Sequence, residues 1–256
     1  MIQFKKLAIA GAIAASIMGA TAAEAHVSYH LDAAGGQAPN VNGSDATGSW
    51  TGGAPSYDGN LPVTWVANIH HVDTVYEISA ADAINNKGAA SNFVLESINN
   101  KWKPASSWGN ALDFGLINME VAGNLTITVE ADSSLASTFA PGFTLWSGWD
   151  ATATSSKHGS WNANPFAPTT RGSNELTYVG HAATTVDGGS VTYTFNNLAA
   201  GNYSLWVGGN GTDNVNEFYK ASMSVAAVPV PGAVWLFGSA IAGLVGFGRR
   251  KAAVTA

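Results

Sequence analysis

The sequence predicts an all-β protein, a sandwich or a barrel. Apolar and polar residues alternate with a period of two in several short segments, and Gly, Asn, Asp and Ser separate those segments. Composition agrees: 29 glycines and only 11% charged residues leave little material for long solvated helices.

The elements follow in chain order. "HVSYHLD" (His26 to Asp32) reads as a strand. "VTWVANI" (Val63 to Ile69) sets Val63, Trp65, Ala67 and Ile69 against Thr64, Val66 and Asn68. "SAADAINNKG" reads as one short helix, with Ser79 as N-cap, Asp82 in the first turn, Lys87 in the last and Gly88 beyond it. "LTITVE" places Leu125, Ile127 and Val129 on one face. "SVTYTF" does the same with Val191, Tyr193 and Phe195, and "NYSLWV" with Tyr203, Leu205 and Val207. "NNLAAGN" (Asn196 to Asn202) is expected to join the last two as a hairpin, with Gly201 free to take a positive φ. Two long weakly charged stretches, Ala33 to Asn60 and Ser147 to Asn174, read as loops.

Both ends of the 256-residue chain differ from this pattern. Residues 1–25 read as a signal peptide: Lys5 and Lys6, an apolar run from Leu7 to Ala20, then Ala23 and Ala25 at the −3 and −1 positions. Cleavage there makes His26 the first residue; a rival cut uses Ala20 and Ala22 and leaves Ala23 first. The expected domain is 26–227, and 228–256 is a separate tail. Gly232 to Gly248 carries no charge and, as a helix, would extend about 26 Å, slightly less than a ~30 Å hydrocarbon core. Its five glycines weaken it as a lasting anchor. Arg249, Arg250 and Lys251 follow at once and would stay cytoplasmic, leaving the domain on the far side of an inner membrane.

The run Val228, Pro229, Val230, Pro231, Gly232, the apolar stretch and the terminal cations resemble a PEP-CTERM sorting tail of the VPLPA-CTERM variant, with Val230 and Gly232 where that pattern has Leu and Ala. The resemblance implies a Gram-negative bacterium and processing by signal peptidase and an exosortase-like enzyme. It also implies a transient inner-membrane intermediate and delivery to the cell surface or extracellular matrix. "GFTLWSGWD" followed by "NNLAAGNYSLWVGGN" is similar to many small exported proteobacterial β-sandwich proteins. That likeness implies an antiparallel jelly-roll-like or Ig-like sandwich. It implies no activity, because sandwiches host many.

The formal charge of −6 without a basic stripe excludes a nucleic-acid partner. With no cysteine there is no disulfide and no thiolate metal site. The nucleophile-elbow, zincin, Walker and Rossmann motifs are missing, so no enzyme is expected. No cofactor is expected either, and copper and calcium are the metals to weigh. A free N-terminal His26 could chelate copper through its α-amine and Nδ1, with His70 or His71 completing the site. On a strand these two point to opposite faces, so both reach one ion only if the chain bends. The same residues, with His30, His158 and His181, read first as ordinary polar surface or turn residues.

In size and texture the chain is similar to copper-binding surface proteins of methane-oxidising bacteria, although it lacks a Trp-x-His triplet. Asp213, Asn214, Asn216 and Glu217 gather oxygen ligands of the kind calcium takes, in what reads as a loop or simply a turn. Among the nine tryptophans, Trp102, Trp108, Trp149 and Trp161 fall in loop-like sequence. If exposed together they could stack on extracellular polysaccharide; otherwise they fill the core, as Trp206 is expected to.

Overall fold

The computed structural model describes residues 26–31, 49–52, 57, 63–100, 102, 112–149, 176–213, 215–228 and 240–241. Its strands are β1 (His26–Tyr29), β2 (Val63–Ile69), β3 (Val75–Ile78), β4 (Glu96–Ile98), β5 (Asp113–Met119), β6 (Gly123–Ala131), β7 (Pro141–Ser147), β8 (Thr177–Ala183), β9 (Ser190–Leu198), β10 (Gly201–Gly209) and β11 (Asn216–Ala226). They form two sheets, one ordered β1-β2-β5-β10-β7-β8 and the other β3-β11-β6-β9, with β4 beside β3 on the same flank of β11. The expected all-β sandwich with one short helix is therefore present. Its six-stranded sheet is mixed, because β2 and β5 run parallel. Between them the chain passes through β3, the helix and β4, a crossover long enough to return in the same direction.

The core between the sheets follows the alternation in the sequence. Leu125, Ile127 and Val129 of β6 are buried there, as are Tyr203, Leu205 and Val207 of β10 and Tyr219, Ala221, Met223 and Val225 of β11. Each fully buried aliphatic side chain stabilises the fold by about 1.5–3 kcal/mol. A second apolar cluster covers the back of the six-stranded sheet, where Val66, Phe114, Leu116, Trp146 and Trp206 meet Tyr57, Trp102, Leu112 and Leu176. The central strands are consequently apolar on both faces, and β10 is buried from Tyr203 to Gly209.

Three expectations change. Val63 belongs to the back cluster, not to the face shared by Trp65, Ala67 and Ile69. A register shift between Val63 and Trp65 turns it there, leaving Thr64 as the extra residue. "NNLAAGN" is no hairpin: β9 pairs with β6 in one sheet and β10 with β5 and β7 in the other, so the segment arches between sheets. Gly201 does take a positive φ of 152°, and Asn197 another of 57°. Finally, Asn216 and Glu217 are the first residues of β11, not members of a loop.

The helix α1 spans Ala80–Lys87 as its caps dictate. Ser79 accepts a hydrogen bond from the Asp82 N–H at 3.0 Å, and Gly88 closes the end at φ 74°.

Close packing explains one glycine. Gly115 lies opposite Trp65 in the parallel pair, and a Cβ on it would sit 2.0 Å from the indole ring. Only glycine leaves room for that side chain.

Candidate functional site

The polar groups of interest gather at one end of the sandwich. β2 ends at Ile69, whose carbonyl still accepts from the Glu120 N–H at 2.9 Å. The chain then bends. The His70 and His71 amides both donate to the Tyr76 hydroxyl, at 3.0 and 3.2 Å. The two imidazoles therefore leave the strand's alternation and lie with centroids 6.3 Å apart. His70 Nδ1 is 2.8 Å from Glu120 Oε2. Glu120 was not a sequence candidate, since nothing in "INMEV" announces a partner fifty residues from His70.

The β1–β2 register sets His26 opposite Asn68, two residues before His70 in the chain. Asn68 Oδ1 accepts from Asn118 Nδ2 at 3.3 Å. The Asp73 N–H donates to the Val225 carbonyl at 2.8 Å, so the last strand ends at the same pole. Among the described residues, no group of three or more His, Cys, Asp or Glu side chains is placed to hold one metal ion.

The residues considered for calcium are spread out. Asp213 is exposed, and Asn214 lies outside the described residues. The Asn216 amide donates to Glu96 Oε1 at 3.1 Å. Glu217 accepts from the Ser137 hydroxyl at 3.0 Å, the Thr138 N–H at 2.9 Å and the Thr138 hydroxyl at 2.7 Å. Both carboxylate oxygens of Glu217 thus anchor the loop before β7.

Near the opposite end lies a buried polar chain that the sequence did not point to. The Asp113 carboxylate accepts from the Thr64 and Tyr219 hydroxyls and from the Phe114 N–H. Tyr219 in turn accepts from the Trp65 indole N–H at 3.0 Å. The bulge at Thr64 aims that hydroxyl at Asp113. Burial pushes the Asp113 carboxyl up to about 7, against the pull of its three donors. Burial also raises Glu96, while the Asn216 amide lowers it. Burial, then the facing Asp113, hold the Tyr219 phenol well above its ordinary value. The available signal was a lone Asp heading the apolar run "LDFGLINM".

The described tryptophans pack inward. Trp102 is buried and donates to the Thr144 hydroxyl at 3.1 Å; Trp149 is half-buried and donates to the Tyr203 carbonyl at 3.0 Å. Trp206 is buried as expected, and no tryptophan among the described residues is exposed. Trp108 and Trp161 lie outside the described residues. His30 is buried edge-on against Trp50 at 4.9 Å. His181 stands beside Trp102 at 5.4 Å, and burial lowers its pKa. His158 lies outside the described residues, as do the predicted cut at Ala23 and Ala25 and the tail residues Pro229, Val230, Pro231, Gly232, Arg249, Arg250 and Lys251. Val228 is described and exposed. No helix among the described residues is long and apolar enough to cross a membrane.

No protein-family model matches the sequence, and no curated protein matches it. Among solved structures, the surface-associated copper-binding protein CorA of Methylomicrobium album BG8 is 13% identical, with a TM-score of 0.34 over 52% of this chain and 94% of its own. The secreted protein MopE of Methylococcus capsulatus, in which an oxidised tryptophan facilitates copper binding, is 11% identical, with a TM-score of 0.34 over 63% and 87%. The pre-peptidase C-terminal domain of a Bacillus anthracis collagenase is 15% identical, with a TM-score of 0.25 over 51% and 89%. Likenesses this slight establish neither a common fold nor a common activity.

Proposed function

We propose that the chain is a non-catalytic exported protein, trimmed at both ends and displayed on the cell surface or in the extracellular matrix of a Gram-negative bacterium. The features that carry this reading are the leader-like residues 1–25 and the Pro motif, apolar run and cations from Val228 to Lys251. The described strands fall within the expected domain, 26–227. Cleavage at either boundary removes no strand named here. Both boundaries meet at one pole, so a tether at Val228 would present the opposite pole outward. The raised carboxylates, Asp113 and Glu96, are buried against Tyr219, Thr64 and Asn216 instead of facing a cleft, which favours a structural task for them. Intact-mass analysis and N-terminal sequencing of the mature surface protein test the proposal. The expected product begins at His26 and lacks Arg249, Arg250 and Lys251. A surface form that keeps those three residues contradicts processing at the Pro motif.

One observation favours a second reading, copper binding at the same pole. The register sets His26 opposite Asn68 at the end of β2, and His70, two residues on, already faces Glu120. A cleaved N-terminal His26 would add its α-amine to these side chains, a nitrogen-rich set suited to copper. Titration of the mature protein with copper tests it. Equimolar binding that His70→Ala weakens is expected; a mature N-terminus at Ala23 ends the idea.

A further inference from the structure

β9 ends the β3-β11-β6-β9 sheet, and among the described residues no strand pairs with its outer side. Such an edge displays free backbone donors and acceptors, and soluble proteins ordinarily protect it. The other edges of this fold are protected. β1 has four residues and its continuation is covered by a bridge from His30 to Trp50 and by the Thr51 N–H bonded to the Tyr29 carbonyl. β3 also has four residues and carries Glu77. β4 has three and carries Glu96. β8 is broken by a register shift against β7 between Leu145 and Trp146. β9 runs for nine residues, and its regular part, "SVTYTF" from Ser190 to Phe195, has no charge, no proline and no glycine.

The direction of its open groups follows from one bond. The Ala131 N–H donates to the Gly189 carbonyl at 3.0 Å, which turns residues 189, 191, 193 and 195 toward β6. Ser190, Thr192 and Thr194 then present their N–H and C=O groups outward. Their side chains are exposed as well, and Tyr193 is 47% exposed.

The fold also shows what kind of strand β9 accepts. β6 reads Leu-Thr-Ile-Thr-Val where β9 reads Val-Thr-Tyr-Thr-Phe. The two pair antiparallel, with hydroxyl contacts of 2.9 Å between Thr126 and Thr194 and 2.8 Å between Thr128 and Thr192. A second β9 has the same pattern as β6 and is free of charge repulsion. We infer that β9 is a self-association edge, pairing antiparallel with β9 of a second copy about a two-fold axis at Tyr193. Thr192 of each copy then lies opposite Thr194 of the other, both with outward backbone groups, and the two Tyr193 side chains meet on the inner face. The isologous contact closes as a dimer with a continuous sheet across it. This inference stands on the sheet geometry and is independent of the processing and copper readings.

Sedimentation of the purified protein over a concentration series should show a monomer–dimer equilibrium. Thr194→Pro removes an outward N–H and the exposed hydroxyl contact with Thr126 but no backbone bond to β6, so the β6 pairing survives. Two inter-copy bonds are lost by symmetry, and association should weaken about tenfold or more. Thr192→Lys, which places a charge on the edge, is the second variant should Thr194→Pro alter the circular dichroism. Because the chain has no cysteine, Tyr193→Cys gives an independent reading. Facing Cα atoms about 4.5 Å apart fall within disulfide reach, so oxidation should yield a covalent dimer. Thr128→Cys on the interior strand β6 should not. A wild-type protein that stays monomeric throughout, or equal cross-linking of the two cysteine variants, overturns the inference.

Discussion

The Trp65 indole N–H donates to the Tyr219 hydroxyl at 3.0 Å, tying β2 of one sheet to β11 of the other through the core. Tyr219 passes the connection on to Asp113 at the head of β5. Three side chains from three strands thus form one polar tie between the sheets, with every member buried.

Tyr219→Phe tests that tie. The ring still fills its space, stacked on Phe139 at 6.0 Å, but the Trp65 N–H and one Asp113 oxygen lose their partner. Each orphaned buried group costs about 1–3 kcal/mol. Urea unfolding should show a lower midpoint with an unchanged slope.

Asp113 makes stability depend on pH. Its folded value of about 7 lies above the roughly 3.9 of an unfolded aspartate. Between the two the folded state holds the extra proton, so its contribution is full below about pH 4 and is lost as pH rises toward 7. The slope is at most about 1.4 kcal/mol per pH unit for one proton. Asp113→Asn should flatten unfolding free energy measured from pH 4 to 7, apart from a slope of the same sign from Glu96, which burial also raises.

Gly115→Ala should destabilise the fold by about 1–3 kcal/mol or more, because the new methyl meets the Trp65 ring and the backbone of β2 and β5 must part. Thermal melts of the variant, and of Gly88→Ala as a comparison, check this. Gly88 has open space around it, and its cost should come only from the positive φ.

Calcium should leave the melting midpoint unchanged. Glu217 already spends both oxygens on Ser137 and Thr138, and the Asn216 amide binds Glu96. A ligand that bound only the folded state would raise the midpoint with concentration. A calcium-dependent rise that chelator reverses would restore the Asp213–Glu217 site.

Local patterns were legible in the residues themselves. The alternation in "LTITVE" and "NYSLWV" names the faces that are buried, and the Ser79 and Gly88 caps bound the helix, because both depend on neighbours within a few positions. The expected hairpin at "NNLAAGN" failed for the opposite reason. A turn's residues permit the chain to reverse but do not choose the sheet it enters, and β9 and β10 find their partners in different sheets.

By itself the sequence determined a cysteine-free all-β body and the inward faces of strands such as β6 and β10, and it raised the expectation of a leader and a tail. Each is written in composition or short-range periodicity. Only the tertiary structure decided that His70 faces Glu120, that a bulge turns Thr64 onto Asp113, and that among the described residues no strand pairs with the outer side of β9. Those outcomes depend on which strands pair, and strand pairing is settled by packing between residues far apart in the chain.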